Sequence, residues 1–285
     1  MPDRIAQARA RLAAIAEAER DDPLVEPRYG TRSWVRDDVA PLAVLLLHGL
    51  TNAPPQYDAL GEQLAARGHA VIVPRMRYHG YRDRMTDALA NLRAADLEMA
   101  ALDAVAIAAL CGQRVVALGI SIGATLAGWL VARAAIDTGV AVAPFCGVRE
   151  LYGGLNDALG AALRAAPNRF GWWDPRAKQN QPPQHGYPRF ATRALGASLQ
   201  LSTELAAPQS AVHGRRAVLV CNHDDPVVNN AFATRRFARL AAQGILVENV
   251  VLHGLPKIHD IIEPQIPQAR PDLVYPQLIE IIETS

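Results

Sequence analysis

The chain has 285 residues, of which 29 are basic and 28 acidic, so its formal net charge is +1. This length can bury a sizeable core and suits one large α/β domain with insertions. The near-zero charge provides no basic face for nucleic acid or an anionic membrane, so we expect neither partner. Positive charge is concentrated locally at Arg75, Arg77, Arg82 and Arg84. Because two aspartates interrupt that run, we expect a solvated loop there.

The cysteines and the N-terminus favour a cytoplasmic protein. Cys111, Cys146 and Cys221 are too few and too far apart for a disulfide framework or a C-x-x-C pair. The first 22 residues lack the apolar segment of a secretory signal. The uncharged run Val115 to Ala132 has the length of a marginal membrane span. Because it holds three glycines, we expect a strand, a turn and a helix instead, and no stable membrane insertion.

In chain order, residues 1–20 predict an amphipathic helix, and the stretch up to residue 40 predicts an antiparallel edge strand or hairpin. Short apolar runs then alternate with helical patterns, which is typical of a mainly parallel sheet covered by helices on both faces, the α/β class. The predicted strands are Leu42 to Leu47, Ala70 to Val73, Val115 to Leu118, Val140 to Phe145, Ala217 to Cys221 and Val247 to Leu252. The predicted helices run from Pro54 to before Gly68, from Arg93 to Leu110, over 231–243 and over 273–283.

One long segment interrupts this alternation. Residues 146–212 are rich in Pro, Gln, Gly and aromatic residues and lie between two core strands, so we expect a cap or lid insertion over one end of the sheet. The predicted division is a helical segment 1–35, a core of 36–145 and 213–285, and the cap 146–212. The cap aromatics either line an acyl pocket or form the cap's own small core; they are Phe170, Trp172, Trp173, Tyr187 and Phe190.

The most specific motif is Gly119-Ile120-Ser121-Ile122-Gly123, directly after a predicted strand and before a helical pattern. This is G-x-S-x-G in the strand–turn–helix context that the motif requires. The turn is so tight that residues two before and two after the serine have no room for side chains. We therefore expect Ser121 to be a nucleophile, with the Ile122 amide facing a developing oxyanion.

A serine hydroxyl needs a base that is oriented by a carboxylate. Asp225 and Asp224 both follow the strand ending at Cys221, and we favour Asp225 because Pro-Val-Val follows it. His259 and His253 both follow the last strand. We favour His259, because it lies on a loop that can reach the sheet edge, whereas His253 directly follows the strand.

The second oxyanion donor should follow an earlier strand. His48-Gly49-Leu50-Thr51 comes directly after Leu47, so the Leu50 amide is the candidate. We expect His48 to have a structural role.

Together these motifs resemble the α/β-hydrolase superfamily. The resemblance rests on H-G-L-T with Asn52-Ala53-Pro54, on Pro74 through Tyr78-His79-Gly80, on G-I-S-I-G, on D-P-V-V and on the late K-I-H-D-I. It covers residues 42 to 283 in order and is strongest to bacterial carboxylesterases and monoacylglycerol lipases. It implies that Ser121 is the nucleophile, Asp225 the acid, His259 the base, and Leu50 with Ile122 the oxyanion hole. The sequence departs from many relatives at Ala124, directly after the turn Gly119 to Gly123 (the elbow), and at Pro-Lys-Ile before His259.

The expected reaction is hydrolysis of a small carboxylic ester through an acyl-enzyme, with no metal or organic cofactor. No charged cluster able to hold a phosphate is evident along the chain, so a neutral short- to medium-chain ester or monoacylglycerol-like substrate is favoured. Thioesterase, peptidase and carbon–carbon bond hydrolase share the fold and triad and stay open. A non-catalytic binding protein of this fold is a further alternative, and a homo-oligomer through the N-terminal helix is open.

Overall fold

The computed structural model describes residues 2–151, 153–207 and 212–285. Residue 1 of the predicted N-terminal helix and residues 152 and 208–211 of the predicted cap lie outside this part of the chain.

A seven-stranded sheet organises the fold, with strand order β1-β3-β2-β4-β5-β8-β9. Its first strand is antiparallel to β3, and every other neighbouring pair is parallel. Two further strands, β6 and β7, form a separate antiparallel pair. The strands are β1 (Arg32–Trp34), β2 (Ala40–Leu47), β3 (Ala70–Val73), β4 (Gly112–Ile120), β5 (Thr138–Val142), β6 (Phe170–Trp172), β7 (Arg189–Ala191), β8 (Arg216–Asn222) and β9 (Leu246–Leu252).

Eight α-helices are described. They are α1 (Pro2–Asp21), α2 (Asp58–Ala66), α3 (Ala94–Cys111), α4 (Ile122–Ala132), α5 (Gly153–Ala165), α6 (Thr192–Leu205), α7 (Asn230–Ala241) and α8 (Pro271–Glu283). Short 3-10 turns lie at Pro27–Tyr29, Pro54–Tyr57, Ala88–Asn91 and Lys178–Asn180. No helix within the described ranges is long and apolar enough to cross a membrane. The uncharged run from Val115 to Ala132 is the end of β4, the turn at Ser121 and α4.

All six predicted strands are present, and the α/β class is confirmed. Several elements differ in extent; β4, for example, spans Gly112–Ile120 rather than Val115 to Leu118. β5 ends at Val142, because Ala143 has a φ of 45° and leaves the extended conformation. The helix predicted from Pro54 begins as a 3-10 turn and becomes α-helical only at Asp58.

Side chains on the two faces of the sheet form separate cores, because successive strand residues point to opposite sides. Leu45 and Leu47 of β2 belong to the core beneath α3 and α4. Val44 and Leu46 belong to the core shared with α2 and α8. The continuous apolar runs in the sequence therefore reflect a sheet that is covered on both faces.

The N-terminal helix packs on its own chain. Ile5 and Ala8 are buried, and α1 contacts α3. Near the end of α1, the buried carboxylate of Glu19 accepts hydrogen bonds from the Thr31 amide at 2.7 Å and from Arg75 Nε at 3.0 Å. Helix α1 therefore packs on the core of its own chain.

The expectation of a solvated loop at the arginine run is wrong for two of its members. Arg75 forms the largely buried ion pair with Glu19. Arg84 donates hydrogen bonds to the carbonyl oxygens of Gln181, Pro183 and Gly186 at 2.8 to 2.9 Å. A guanidinium presents five donors in a fixed fork, which suits an array of carbonyls on one loop. Arg84 thus joins the 181–186 segment to the core.

Candidate active site

Ser121 occupies a strained turn between the central strand β4 and helix α4. Its φ is 58° and its ψ is −116°, a conformation that L-residues rarely adopt. A Cβ atom on Gly119 would lie 2.1 Å from the Gly123 carbonyl, and one on Gly123 would lie 2.0 Å from the Leu47 carbonyl oxygen. Only glycine fits at either position, as expected from the motif.

Several backbone amides near this turn lack an acceptor among the described residues, and two of them are the predicted oxyanion donors. The N–H groups of Ile122, at the first position of α4, and of Leu50, after β2, donate no hydrogen bond to the described residues. Both residues are buried. Unpaired buried amides are uncommon, because each costs free energy unless a ligand or water accepts from it. This arrangement suits an oxyanion hole.

Two buried histidines contact the backbone of the loop 48–52, which follows β2 and is called the Leu50 loop here. The His48 Nε2 accepts a hydrogen bond from the Met76 amide at 3.2 Å, so its proton resides on Nδ1, which lies 3.0 Å from the Gly49 carbonyl oxygen. Burial, together with the nearby His79, holds the His48 pKa well below its usual value. The Nε2 of His79 contacts the Leu50 carbonyl oxygen, and burial lowers the pKa of His79 to about 4. The His48 ring is therefore neutral, in line with a structural role.

His259 and Asp225 lie together on loops that follow β9 and β8. The His259 Nδ1 is 2.8 Å from Asp225 Oδ2. The other carboxylate oxygen of Asp225 accepts from the amides of Val227 at 2.8 Å and Val228 at 3.1 Å. The Nε2 of His259 is buried and has no hydrogen-bond partner within the described part of the chain. One ring nitrogen is thus oriented by a carboxylate, while the other remains available to accept a proton.

The electrostatic setting of His259 has two opposing contributions. Burial disfavours its charged form, but the charge of Asp225 and its hydrogen bond favour it, so that the His259 pKa is raised above its ordinary value. The alternative residues are elsewhere. Asp224 faces His223 at 3.4 Å, and His253 is exposed, with its ring 5.1 Å from that of His223.

Sequence reasoning missed three polar residues that hold these loops. Asn222, fully buried at the end of β8, donates through Nδ2 to the Pro256 and Ile258 carbonyl oxygens at 3.0 and 2.9 Å. Those carbonyls lie in the loop that precedes His259. The other two are Gln56 and Asp260, whose side chains form a hydrogen bond between two of the loops. Their only sequence signal is adjacency to the candidate motifs.

Aromatic residues between β5 and β8 contact the Leu50 loop in different ways. Trp173 donates from its indole N–H to the Thr51 hydroxyl at 2.8 Å and remains 41% exposed. Tyr187 is buried, and its hydroxyl donates to the Tyr78 carbonyl at 2.9 Å. Tyr187 therefore belongs to the core, whereas Trp173 lies at the surface beside Thr51. Phe170, Trp172 and Phe190 are partly buried.

Four arginines that are far apart in sequence line one cavity of about 770 Å³. They are Arg77, Arg93, Arg164 and Arg193. Of the described residues lining it, Asp96 alone carries a carboxylate, and it pairs with Arg77 at 2.9 Å. Spacing along the chain does not predict this grouping. The expectation that no charged cluster could hold a phosphate stays a prediction, because three of these arginines already have partners: Arg77 pairs with Asp96, Arg164 donates to the Gly196 carbonyl and Arg193 to the Ala166 carbonyl.

Comparison with known proteins agrees with this fold. A model of the alpha/beta hydrolase family matches residues 44–257, more than half of the chain. No curated protein matches the sequence.

Similar solved structures include one from work on LipS and LipT, two metagenome-derived lipolytic enzymes, with 18% identity, a TM-score of 0.67, and coverage of 92% of this chain and 100% of that one. A soluble variant of monoglyceride lipase from Saccharomyces cerevisiae has 12% identity, a TM-score of 0.65, and coverage of 89% and 91%. The thioesterase domain of the curacin biosynthetic pathway has 18% identity, a TM-score of 0.56, and coverage of 90% and 94%. The chain belongs to the α/β-hydrolase family.

Proposed function

We propose that the protein hydrolyses carboxylic esters through an acyl-enzyme, with Ser121 as nucleophile, His259 as base and Asp225 as the carboxylate that orients it. The observation that carries the proposal is the pairing of His259 with Asp225. The Nε2 of His259 is buried and has no hydrogen-bond partner among the described residues. Ser121 occupies the strained turn between β4 and α4. Family membership and the lipolytic similar structures support the reaction class.

In the proposed mechanism, Ser121 Oγ attacks the ester carbonyl and His259 accepts its proton. The Leu50 and Ile122 amides stabilise the negative oxygen of the tetrahedral intermediate. His259 then donates the proton to the leaving alcohol, and water repeats the sequence to release the acid. Asp225 stabilises the imidazolium that forms in each half-reaction.

We also propose that residues 146–212 act as a cap over this site. The contacts of Trp173 and Arg84 between that segment and the core support the assignment. All three cysteines are buried and unpaired, which fits the proposed cytoplasmic location.

Labelling with a fluorophosphonate, followed by peptide mapping, tests the reaction class. We expect the label on Ser121, turnover of p-nitrophenyl esters, and loss of both in Ser121→Ala. A folded wild-type protein that neither labels nor turns over any ester would overturn the proposal and favour the non-catalytic alternative.

A thioesterase is the second candidate, because a thioesterase domain is among the similar structures and the four-arginine cavity could accept an anionic leaving group. Guanidinium groups bind phosphate and carboxylate in bidentate fashion, so this cavity suits a substrate with an anionic group. Matched oxygen esters and thioesters, each with and without a phosphate on the leaving group, separate the candidates. Preference for the phosphorylated thioester that is lost in Arg93→Gln and Arg193→Gln would establish the second candidate. Equal use of neutral and charged esters would eliminate it.

A further inference from the structure

The Gln56 side chain links two loops of the candidate site. It is fully buried in the 3-10 turn after β2. Its Oε1 lies 3.0 Å from the Gly49 amide nitrogen, and its Nε2 lies 2.7 Å from Asp260 Oδ2. Because a backbone N–H can only donate, the side-chain oxygen must face Gly49, and the amide nitrogen must then face Asp260. The Asp260 carboxylate is therefore the acceptor.

Asp260 receives a second donor from the same segment. The Asn52 Nδ2 lies 3.3 Å from the same Oδ2, while the Asn52 side-chain oxygen accepts from the Ala53 amide at 3.1 Å. Both donors thus come from the segment that directly follows Leu50. Asp260 itself is joined to His259 by one peptide bond. A single carboxylate consequently connects the loop of the candidate oxyanion donor to the loop of the candidate base.

We propose that Asp260, through Gln56 and Asn52, is a positioning residue that sets the Leu50 amide relative to the His259 imidazole. The expected effect of this positioning on the rate rests on the proposed hydrolase function. The link between the two loops does not depend on that function. Acyl transfer requires the oxyanion donor and the base to be correctly placed at the same time. A misplacement of about 1 Å can cost about 100-fold in rate. A link between the two loops maintains both placements together.

The surroundings of Asp260 favour its protonated form. The titratable groups that face it are His259 and Glu263 on its own loop, Tyr57 beside Gln56, and Tyr275 on α8. Glu263 is itself 2.9 Å from the buried His185 Nε2. Burial, followed by the charge of Glu263, raises the pKa of Asp260 to about 6. Both amide donors reach the same Oδ2 atom, which can accept from them when Asp260 is ionised and also when a proton resides on the other oxygen.

Three variants separate the hydrogen-bonded link from the charge. Gln56→Met and Asp260→Leu keep side-chain size and remove the link. Asp260→Asn keeps an acceptor oxygen for Gln56 and removes the charge. Gln63→Met, at an exposed position of α2, is the matched control for the glutamine.

The first readout is amide hydrogen exchange at Gly49, which does not depend on turnover. We expect exchange at Gly49 to accelerate at least about tenfold in Gln56→Met and Asp260→Leu, and to stay within about threefold of wild type in Asp260→Asn and Gln63→Met. Unchanged Gly49 exchange in folded Asp260→Leu would overturn the link, whether or not the protein proves to be an esterase. If Asp260→Leu fails to fold, Gln56→Met decides by the same criterion.

The second readout is kinetic. We expect kcat on a p-nitrophenyl ester to fall about 10- to 100-fold in Gln56→Met, with KM changed less than about twofold, and Asp260→Asn to retain most of kcat. In Asp260→Asn, loss of a negative charge beside His259 should move the acidic limb of kcat/KM to lower pH. Parallel losses in all three variants without a shift of that limb would mean a merely structural role. Absence of turnover in wild type would remove the proposed function, and Gly49 exchange would still decide the link.

Discussion

His259 is 2.8 Å from Asp225 through Nδ1, and the second oxygen of the Asp225 carboxylate is held by two backbone amides. The carboxylate therefore cannot rotate away from the ring without breaking those bonds. This pairing fixes which ring nitrogen carries the proton and leaves Nε2 as the acceptor.

Asp225→Asn is expected to reduce kcat about 10⁴-fold, because an amide donor would favour the wrong imidazole tautomer. Asp224→Asn is the matched control, since Asp224 contacts His223 instead, and we expect kcat within about twofold of wild type. Initial rates on a p-nitrophenyl ester measure both. A large loss in Asp224→Asn with activity surviving in Asp225→Asn would reverse the assignment.

Ser121→Gly should be more stable than Ser121→Ala. The φ of 58° at this position strains any residue with a Cβ, and glycine relieves that strain by about 1 kcal/mol after its own entropic cost. Urea unfolding of the two inactive variants gives the difference directly. Equal midpoints would show that the elbow stores no measurable strain.

Gly123→Ala should destabilise the fold by about 3 kcal/mol or more, because the new Cβ would lie 2.0 Å from the Leu47 carbonyl oxygen and backbone must move. Gly154→Ala in α5 provides the contrast. Nothing lies within 4 Å of a Cβ there, and alanine favours the helix by up to about 1 kcal/mol. The midpoint of thermal unfolding should therefore fall in Gly123→Ala and rise in Gly154→Ala.

Asp260→Asn should stabilise the protein at neutral pH. The pKa of Asp260 is raised to about 6 from 3.8, so the folded state binds its proton more tightly than the unfolded state. The stability this contributes is complete below pH 4 and is lost as the pH rises through about 6. The variant should therefore gain on the order of 2 kcal/mol at pH 8 and almost nothing at pH 4, as measured by urea unfolding. A gain in the free energy of unfolding that is the same at pH 4 and pH 8 would contradict the raised pKa of Asp260.

Glu19→Ala should cost about 2 to 4 kcal/mol, because it leaves the largely buried Arg75 without its carboxylate. Glu17→Ala, at an exposed position of the same helix, should change the free energy of unfolding by less than about 0.5 kcal/mol. Denaturant midpoints test the pair, and similar small effects would mean that α1 contributes little to the core.

Much of the sheet was predictable because short apolar runs bounded by glycine or proline mark buried parallel strands. The elbow was predictable for a local reason, since the steric requirement at Gly119 and Gly123 involves residues close in sequence. The link from Gln56 to Asp260 was not, because it joins residues 204 positions apart through side-chain hydrogen bonds that no periodicity encodes. The four-arginine cavity escaped prediction for the same reason.

The strand order also bears on when the proposed activity can arise during synthesis. Ser121 follows β4 at the centre of the sheet, but the residues proposed as its partners lie on loops after β8 and β9, more than 100 residues later. A nascent chain that has exposed the elbow has no base to activate it. The proposed reactivity would therefore begin only when His259 has left the ribosome and β9 has paired with β8.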